Sequence, residues 1–300
     1  MIGIKRKFTK VEVGFFLALL SAFFFSLNIP VTKSLLSFIS PYWLASLLYF
    51  GAGFGTLIYQ RLTRSMASTG VKINHQLVWF ASMIFLDIAA PIAFFIGVKE
   101  TDGNMVGLLS NGELFFTLLI ALFIFKEKLR RLSWIALGFI GLGVVISNGL
   151  LFNVEFQLGQ LWILLAMLLW GIENNVSKKL SLGNPLNVVM IKGLGTGVGT
   201  LLVSILLQEI FPSWWMVILT LIAGFVIYGG SLIFYVFAQR SLGAAKVQMI
   251  QSFSPLMGGI FAWVIFQESI TVTTVVGYLF VVIALILIGF DLFKDNPAKG

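Results

Sequence analysis

The chain has 300 residues, of which 59% are hydrophobic and only 11% charged, with a mean hydropathy of +1.00. Soluble domains are far more polar than this, and the net charge of +8 is spread over short loops between apolar runs, which gives no basic face for nucleic acid. Without Cys there is no disulfide, thiolate metal site or cysteine nucleophile, and the lone His75, in the polar stretch from Thr69 to Gln76, cannot make a metal site alone. No metal and no cofactor is expected.

Runs of about 20 apolar residues cross a hydrocarbon core of roughly 30 Å. Ten such runs follow in order, at approximately 12 to 36, 41 to 60, 77 to 98, 103 to 125, 132 to 149, 160 to 180, 185 to 207, 214 to 238, 244 to 266 and 272 to 291. The first follows Lys5-Arg6-Lys7 and continues through Asn28 and Pro30 without an A-x-A-like cleavage site, so it reads as an uncleaved helix. On it Ser21, Phe25, Asn28 and Thr32 share one face, and Pro30 weakens the backbone ladder beside Asn28.

The third and fourth runs carry Asp87 and Glu113, balanced about the turn near Glu100-Thr101 and therefore expected at matching depth near the midplane. Facing each other with no cation between them, the two carboxylates would hold a proton. On the sixth run Trp170, Asn174 and Ser177 share a face with Glu173 beside it, and Glu173 is symmetric with Lys192 about the Leu182-Gly183 turn. An ion pair between those two is the expectation. The eighth run offers Tyr228, Ser231 and Tyr235 at i, i+3 and i+7, and the ninth offers Gln248, Gln251 and Ser252 before Pro255. Ionisable groups at membrane depth are rare and mark pathways for a substrate, ion or proton. Aromatic rings near carboxylates suit an organic cation, while Ser, Asn and Gln also serve simply to tie membrane helices together.

With ten helices and a cytoplasmic N-terminus, 17 of the 20 Lys and Arg fall on the inner side. The exceptions are Lys33 and Lys99 near outer ends and Lys192 within a helix. The bias places both termini inside. The chain also repeats itself. A shift of 145 lays Val31-Thr32-Lys33-Ser34-Leu35 on Val176-Ser177-Lys178-Lys179-Leu180, and one of 141 lays Ala121 through Glu127 on Ala262 through Glu268. The expected fold is an all-α integral membrane protein of two five-helix repeats, residues 1–150 and 151–300. Because five is odd, the second repeat enters the membrane inverted, and such folds place their site near the midplane between the repeats.

The stretch Leu108-Leu109-Ser110-Asn111-Gly112-Glu113-Leu114-Phe115-Phe116-Thr117, continuing to Phe125-Lys126-Glu127, resembles the end-of-repeat signature of EamA-type carriers in the drug/metabolite transporter superfamily. Ser252-Phe253-Ser254-Pro255-Leu256 through Phe266-Gln267-Glu268 looks like its second copy. Leu169 through Lys179, with Glu173 before Asn174-Asn175, followed by Lys192-Gly193-Leu194, is similar to one subgroup of that family. The resemblance, over about residues 12 to 291, implies two EamA units of ten helices in all, a central cavity and transport of small organic solutes, without naming one. Glu127 and Glu268 match a family position at a helix end and read as helix termination and loop anchoring.

The function expected is secondary active transport of an amino acid, amine or similar metabolite across the cytoplasmic membrane by alternating access, coupled to protons or another cation. The candidate cavity residues are Phe25, Asn28, Ser110, Asn111, Trp170, Asn174, Tyr228, Tyr235, Gln248 and Gln251, and the candidate buried charges are Asp87, Glu113, Glu173 and Lys192. The partners are a small-molecule substrate, the lipid bilayer and the coupling ion, with a homodimer left open. A multidrug or organic-cation efflux carrier is the nearest alternative. A catalytic role is not expected, since no H-E-x-x-H or G-x-S-x-G is present, and an intramembrane aspartyl-type enzyme built on Asp87 is the remote alternative. A channel would need a filter-like loop and an ATP-driven pump a G-x-x-x-x-G-K-[ST] loop; neither is found.

Overall fold

The computed structural model describes residues 9–62, 73–99, 109, 112–147, 158–254, 257, 261, 264 and 272–293, and among these residues the chain is helical with no strand. The helices are α1 (Lys10–Leu35), α2 (Pro41–Leu62), α3 (Ile73–Lys99), α4 (Gly112–Phe123), α5 (Arg131–Ser147), α6 (Leu158–Ser181), α7 (Pro185–Leu206), α8 (Trp214–Leu242), α9 (Ala244–Gln251) and α10 (Val272–Phe293). Within α8, Gly224–Gly229 form a π-helical turn. The first turn of α3 takes in His75, expected from sequence in a loop.

Local chemistry starts these helices. Glu12 accepts a hydrogen bond from Thr9 N at 2.8 Å and donates its own N–H to Thr9 Oγ1 at 3.2 Å, a reciprocal capping box that opens α1. Asn184 Oδ1 accepts from Leu186 N ahead of α7, where Pro185 fills a position whose N–H would go unused.

Five spans are long and apolar enough to cross a membrane by length and composition: Lys10–Leu27, Gln76–Phe94, Pro185–Leu206, Trp214–Leu242 and Val275–Leu292. Gly112–Phe123 and Arg131–Gly143 are apolar but shorter. The ten spans expected from sequence are therefore matched in part. Helix α6 falls short because Glu173, Asn174, Asn175 and Ser177 interrupt its apolar run, and all four are buried inside the bundle. The outer surface is apolar instead: Leu62, Phe85, Leu206, Val272 and Phe290 are 65 to 80% exposed, an arrangement suited to lipid.

Packing pairs α2 with α7, α5 with α10 and α4 with α9, and joins α3 to α6, α1 to α8, α4 to α6 and α1 to α9. Exchanging α1–α5 with α6–α10 in order maps these pairings onto one another. Backbones approach closely between α2 and α7, where a Cβ on Gly193 would lie 2.5 Å from Gly53 N and one on Gly53 2.7 Å from Leu194 N. Small residues of this kind let membrane helices touch backbone to backbone, and Ser46 Oγ donates across the same pair to Gly197 O at 2.9 Å.

Gly193→Ala is expected to force α2 and α7 apart and lower the thermal unfolding midpoint of the purified protein, overpacking typically costing about 1–3 kcal/mol. Gly138→Ala, where a Cβ meets nothing within 4 Å, is the matched control. Equal midpoints for the two variants would mean that the glycine contact does not limit the packing.

Candidate functional site

Lys192, one residue before the Gly53–Gly193 contact, is carried by α7 into the bundle, where its side chain is only 8% exposed. Its Nζ lies 3.1 Å from Asp87 Oδ2 on α3 and 2.9 Å from Glu173 Oε1 on α6. Tyr49 on α2 donates its hydroxyl to Asp87 Oδ1 at 3.3 Å, and Ser177 donates to Glu173 Oε1 one helical turn away. The Tyr49 ring meets Tyr228, in the π-helical turn of α8, edge to face at 4.9 Å. With all three groups ionised, two carboxylates around one ammonium leave one excess negative charge. Burying such charges is tolerable only because each is paired and hydrogen-bonded.

The sequence sets Asp87 level with Glu113, and in the structure the two do not face each other. Asp87 meets Lys192, while Glu113 Oε1 accepts hydrogen bonds from Asn174 Nδ2 at 2.9 Å and Gln248 Nε2 at 3.1 Å. The reason is packing: α3 lies against α6 and α7, whereas α4 lies against α6 and α9, so the two carboxylates of one hairpin find partners in different places. An ammonium satisfies a buried carboxylate better than a second carboxylate does.

Around Glu113 the groups are neutral. The amide nitrogen of Asn174 also donates to Thr117 Oγ1 at 3.1 Å, and Gln239 Nε2 donates to the Asn174 carbonyl at 2.9 Å. The Tyr235 hydroxyl lies 2.8 Å from Asn174 Oδ1 and 2.9 Å from Gln248 Oε1. One phenolic proton serves two amide oxygens. Among the described residues no Lys or Arg pairs with Glu113.

A third polar group joins α1, α8 and α9. Ser21 Oγ donates to Ser231 O at 3.0 Å, Ser231 Oγ to Ser21 O at 3.1 Å, and Gln251 Nε2 to Ser21 Oγ at 3.3 Å, leaving Gln251 Oε1 buried without a partner among the described residues. Tyr228, Ser231 and Tyr235, one stripe in the sequence, thus reach α2, α1 and α6 respectively. Trp170 packs on Phe94 with ring centroids 5.6 Å apart, beside Met167 and Phe116. Phe25 is 38% exposed and takes part in none of these contacts. Ser110, Asn111 and the side chain of Asn28 lie outside the described residues.

Three participants escaped the sequence reading: Tyr49, Thr117 and Gln239, each of which looks like an ordinary helix residue until its partner is known. Glu127 reads from the sequence as a helix-end anchor, and the structure supplies its partners. Its Oε1 accepts from Ala244 N at 3.0 Å and its Oε2 from Ala245 N at 3.3 Å, capping α9, with Lys178 Nζ 3.8 Å away. Gly243 makes the cap possible, because its φ of +90° suits glycine and a Cβ there would lie 2.7 Å from Glu127 Oε2. The anchor expected at a loop therefore spans 117 residues of sequence.

Comparison with known proteins agrees with this architecture. The model of the EamA-like transporter family matches residues 12–149 and again 157–290. An "Uncharacterized transporter" of Methanothermobacter thermautotrophicus is 25% identical over 280 residues, 86% of this chain and 81% of its own length. A "Probable amino-acid metabolite efflux pump" of Salmonella typhimurium is 28% identical over 178 residues, 58% of this chain and 56% of its own length. A solved crystal structure superposes with a TM-score of 0.74 at 16% identity, covering 93% of this chain and 98% of that one, a likeness of fold alone.

Lys192→Ala strands two buried carboxylates, and removing one partner of a buried pair costs about 3–5 kcal/mol. The variant is expected to melt well below the wild type in detergent, and the triple change Asp87→Asn, Glu173→Gln, Lys192→Met to recover most of the loss. Additive damage in the triple variant would show that the three residues are not one unit.

Proposed function

The chain belongs to the EamA-like transporter family, and on that premise we propose that it is a secondary active transporter of a small organic metabolite, coupled to a proton or another cation. It works by alternating access of two inverted halves, residues 1–150 and 151–300, in the cytoplasmic membrane. The exchange symmetry of the helix pairings and the two matched segments of the family support that division. The relative named as an amino-acid metabolite efflux pump favours an amino acid or amine as the solute.

One observation carries the coupling. Among the described residues three carboxylates, Asp87, Glu113 and Glu173, sit among apolar helices with one ammonium, and the partners of Glu113 are neutral amides. A carboxylate in that setting takes up a proton, or a cationic solute, more readily than one already paired. Glu113 is accordingly the coupling residue. Lys192 stays engaged by Asp87 and Glu173, whose role is to hold α3, α6 and α7 together. Asn174, Tyr235, Gln248 and Gln251 contact the solute, with Trp170, Tyr228, Phe25, Asn28, Ser110 and Asn111 completing the path.

Organic-cation efflux is the second reading, favoured by the same excess of carboxylates and by the Trp170–Phe94 pair. Aspartyl-type catalysis is disfavoured, because it needs two carboxylates sharing a proton, and Asp87 and Glu173 are bridged by Lys192 instead.

In proteoliposomes, Glu113→Gln is expected to abolish uptake driven by a pH gradient while solute counterflow persists. Unchanged gradient-driven uptake would remove Glu113 from coupling. Loss of both activities in a folded variant would make it a solute contact instead.

A further inference from the structure

We propose that the pocket beside the Glu127 cap binds a phosphate-bearing anion, supplied either by an anionic phospholipid headgroup or by free phosphate. The pocket, about 240 Å³, is lined by Lys128 from the α4–α5 connection, Lys178 near the end of α6, Arg240 and Ser241 at the end of α8, and Lys246 in α9, with Glu127. That is four cations to one carboxylate. The carboxylate is already committed to Ala244 N, Ala245 N and Lys178. No carboxylate among the described residues pairs with Lys128, Arg240 or Lys246.

Three cations with no carboxylate partner among the described residues converge on one concavity and repel one another unless an anion joins them. Arg240 supplies the planar fork that matches phosphate oxygens, and the lysines supply point charges. The size is also telling. Pockets for whole small molecules run to about 300–1,000 Å³, so this smaller one suits a single anionic group. Just before Lys128, Phe123 and Ile124 are 76% and 69% exposed, an apolar surface along which acyl chains would lie. Basic pockets between membrane helices commonly take anionic headgroups. Because Lys128 and the Arg240–Lys246 corner come from different proposed halves, an anion bound here fastens the same junction as Glu127.

The test compares thermal unfolding midpoints in nanodiscs of phosphatidylcholine, of phosphatidylcholine with phosphatidylglycerol, and of phosphatidylcholine with inorganic phosphate. A ligand about tenfold above its Kd should raise the midpoint by roughly 3 °C for a chain of this size. The double variant Arg240→Gln, Lys246→Gln should lose that gain; Lys128→Gln, Lys246→Gln replaces it should the first not fold. The control Arg61→Gln, Lys179→Gln removes equal charge outside the pocket, from the end of α2, which Gln60 ties to Asn187 of α7, and from the Lys179–Trp79 contact. It should keep the gain. A gain only with phosphatidylglycerol identifies the lipid headgroup, and one with inorganic phosphate identifies free phosphate. No gain in either, or a gain that the pocket variants keep, or one that the control loses equally, overturns the proposal.

Discussion

The Lys192 ammonium is the constraint around which the bundle is organised. A cation at that depth must be paired, and it is paired from two directions, by Asp87 on α3 and Glu173 on α6. The three helices cannot slide or rotate independently without uncovering a charge, and the Gly53–Gly193 contact next door fixes how close α7 comes to α2. Apolar side chains give membrane helices little directional preference, since lipid tails are as apolar as Leu. The ion triad and the glycine contact supply that direction.

How much of this was readable in the sequence depended on whether the partners shared a hairpin. Glu173 and Lys192 flank one tight turn, so equal distance along the chain meant equal depth, and the pair could be read directly. The same arithmetic placed Asp87 level with Glu113 but could not say which way each faced. The helix packing that turns Asp87 toward α7 and Glu113 toward α9 is a property of the assembled bundle. Glu127 was still less legible, because nothing near it announces α9, although the glycine at 243 that admits it was in plain view. The starts of α2, α7 and α8 agreed with the apolar runs, because proline, a capping residue or a tryptophan pair marks each one. The polar stretch from Glu173 to Ser177 keeps α6 out of the five long apolar spans, although its run of apolar residues is plain in the sequence.

The polar groups divide into two kinds. Asp87, Glu173 and Lys192 satisfy one another and are flanked by a tyrosine and a serine hydroxyl, a closed set with little left to offer a ligand. Glu113, Asn174, Gln248 and Tyr235 form an open set, in which a single hydroxyl proton is divided between two amide oxygens. The unpartnered Gln251 oxygen belongs to a neighbouring group on α9. A closed set builds a scaffold; an open one leaves room for exchange with something that enters.

The glycine contact between α2 and α7 has a mechanical consequence as well as a structural one. It joins a pair of helices that exchanges into itself, and there the two backbones meet. If the halves tilt about that point, it acts as a fulcrum. Groups beside it, Lys192 first among them, then travel least, whereas groups at the ends of the levers, such as the Glu127 carboxylate on Ala244 and Ala245, travel furthest. Under the proposed tilting of the two halves, the buried charges lie where that motion would disturb them least.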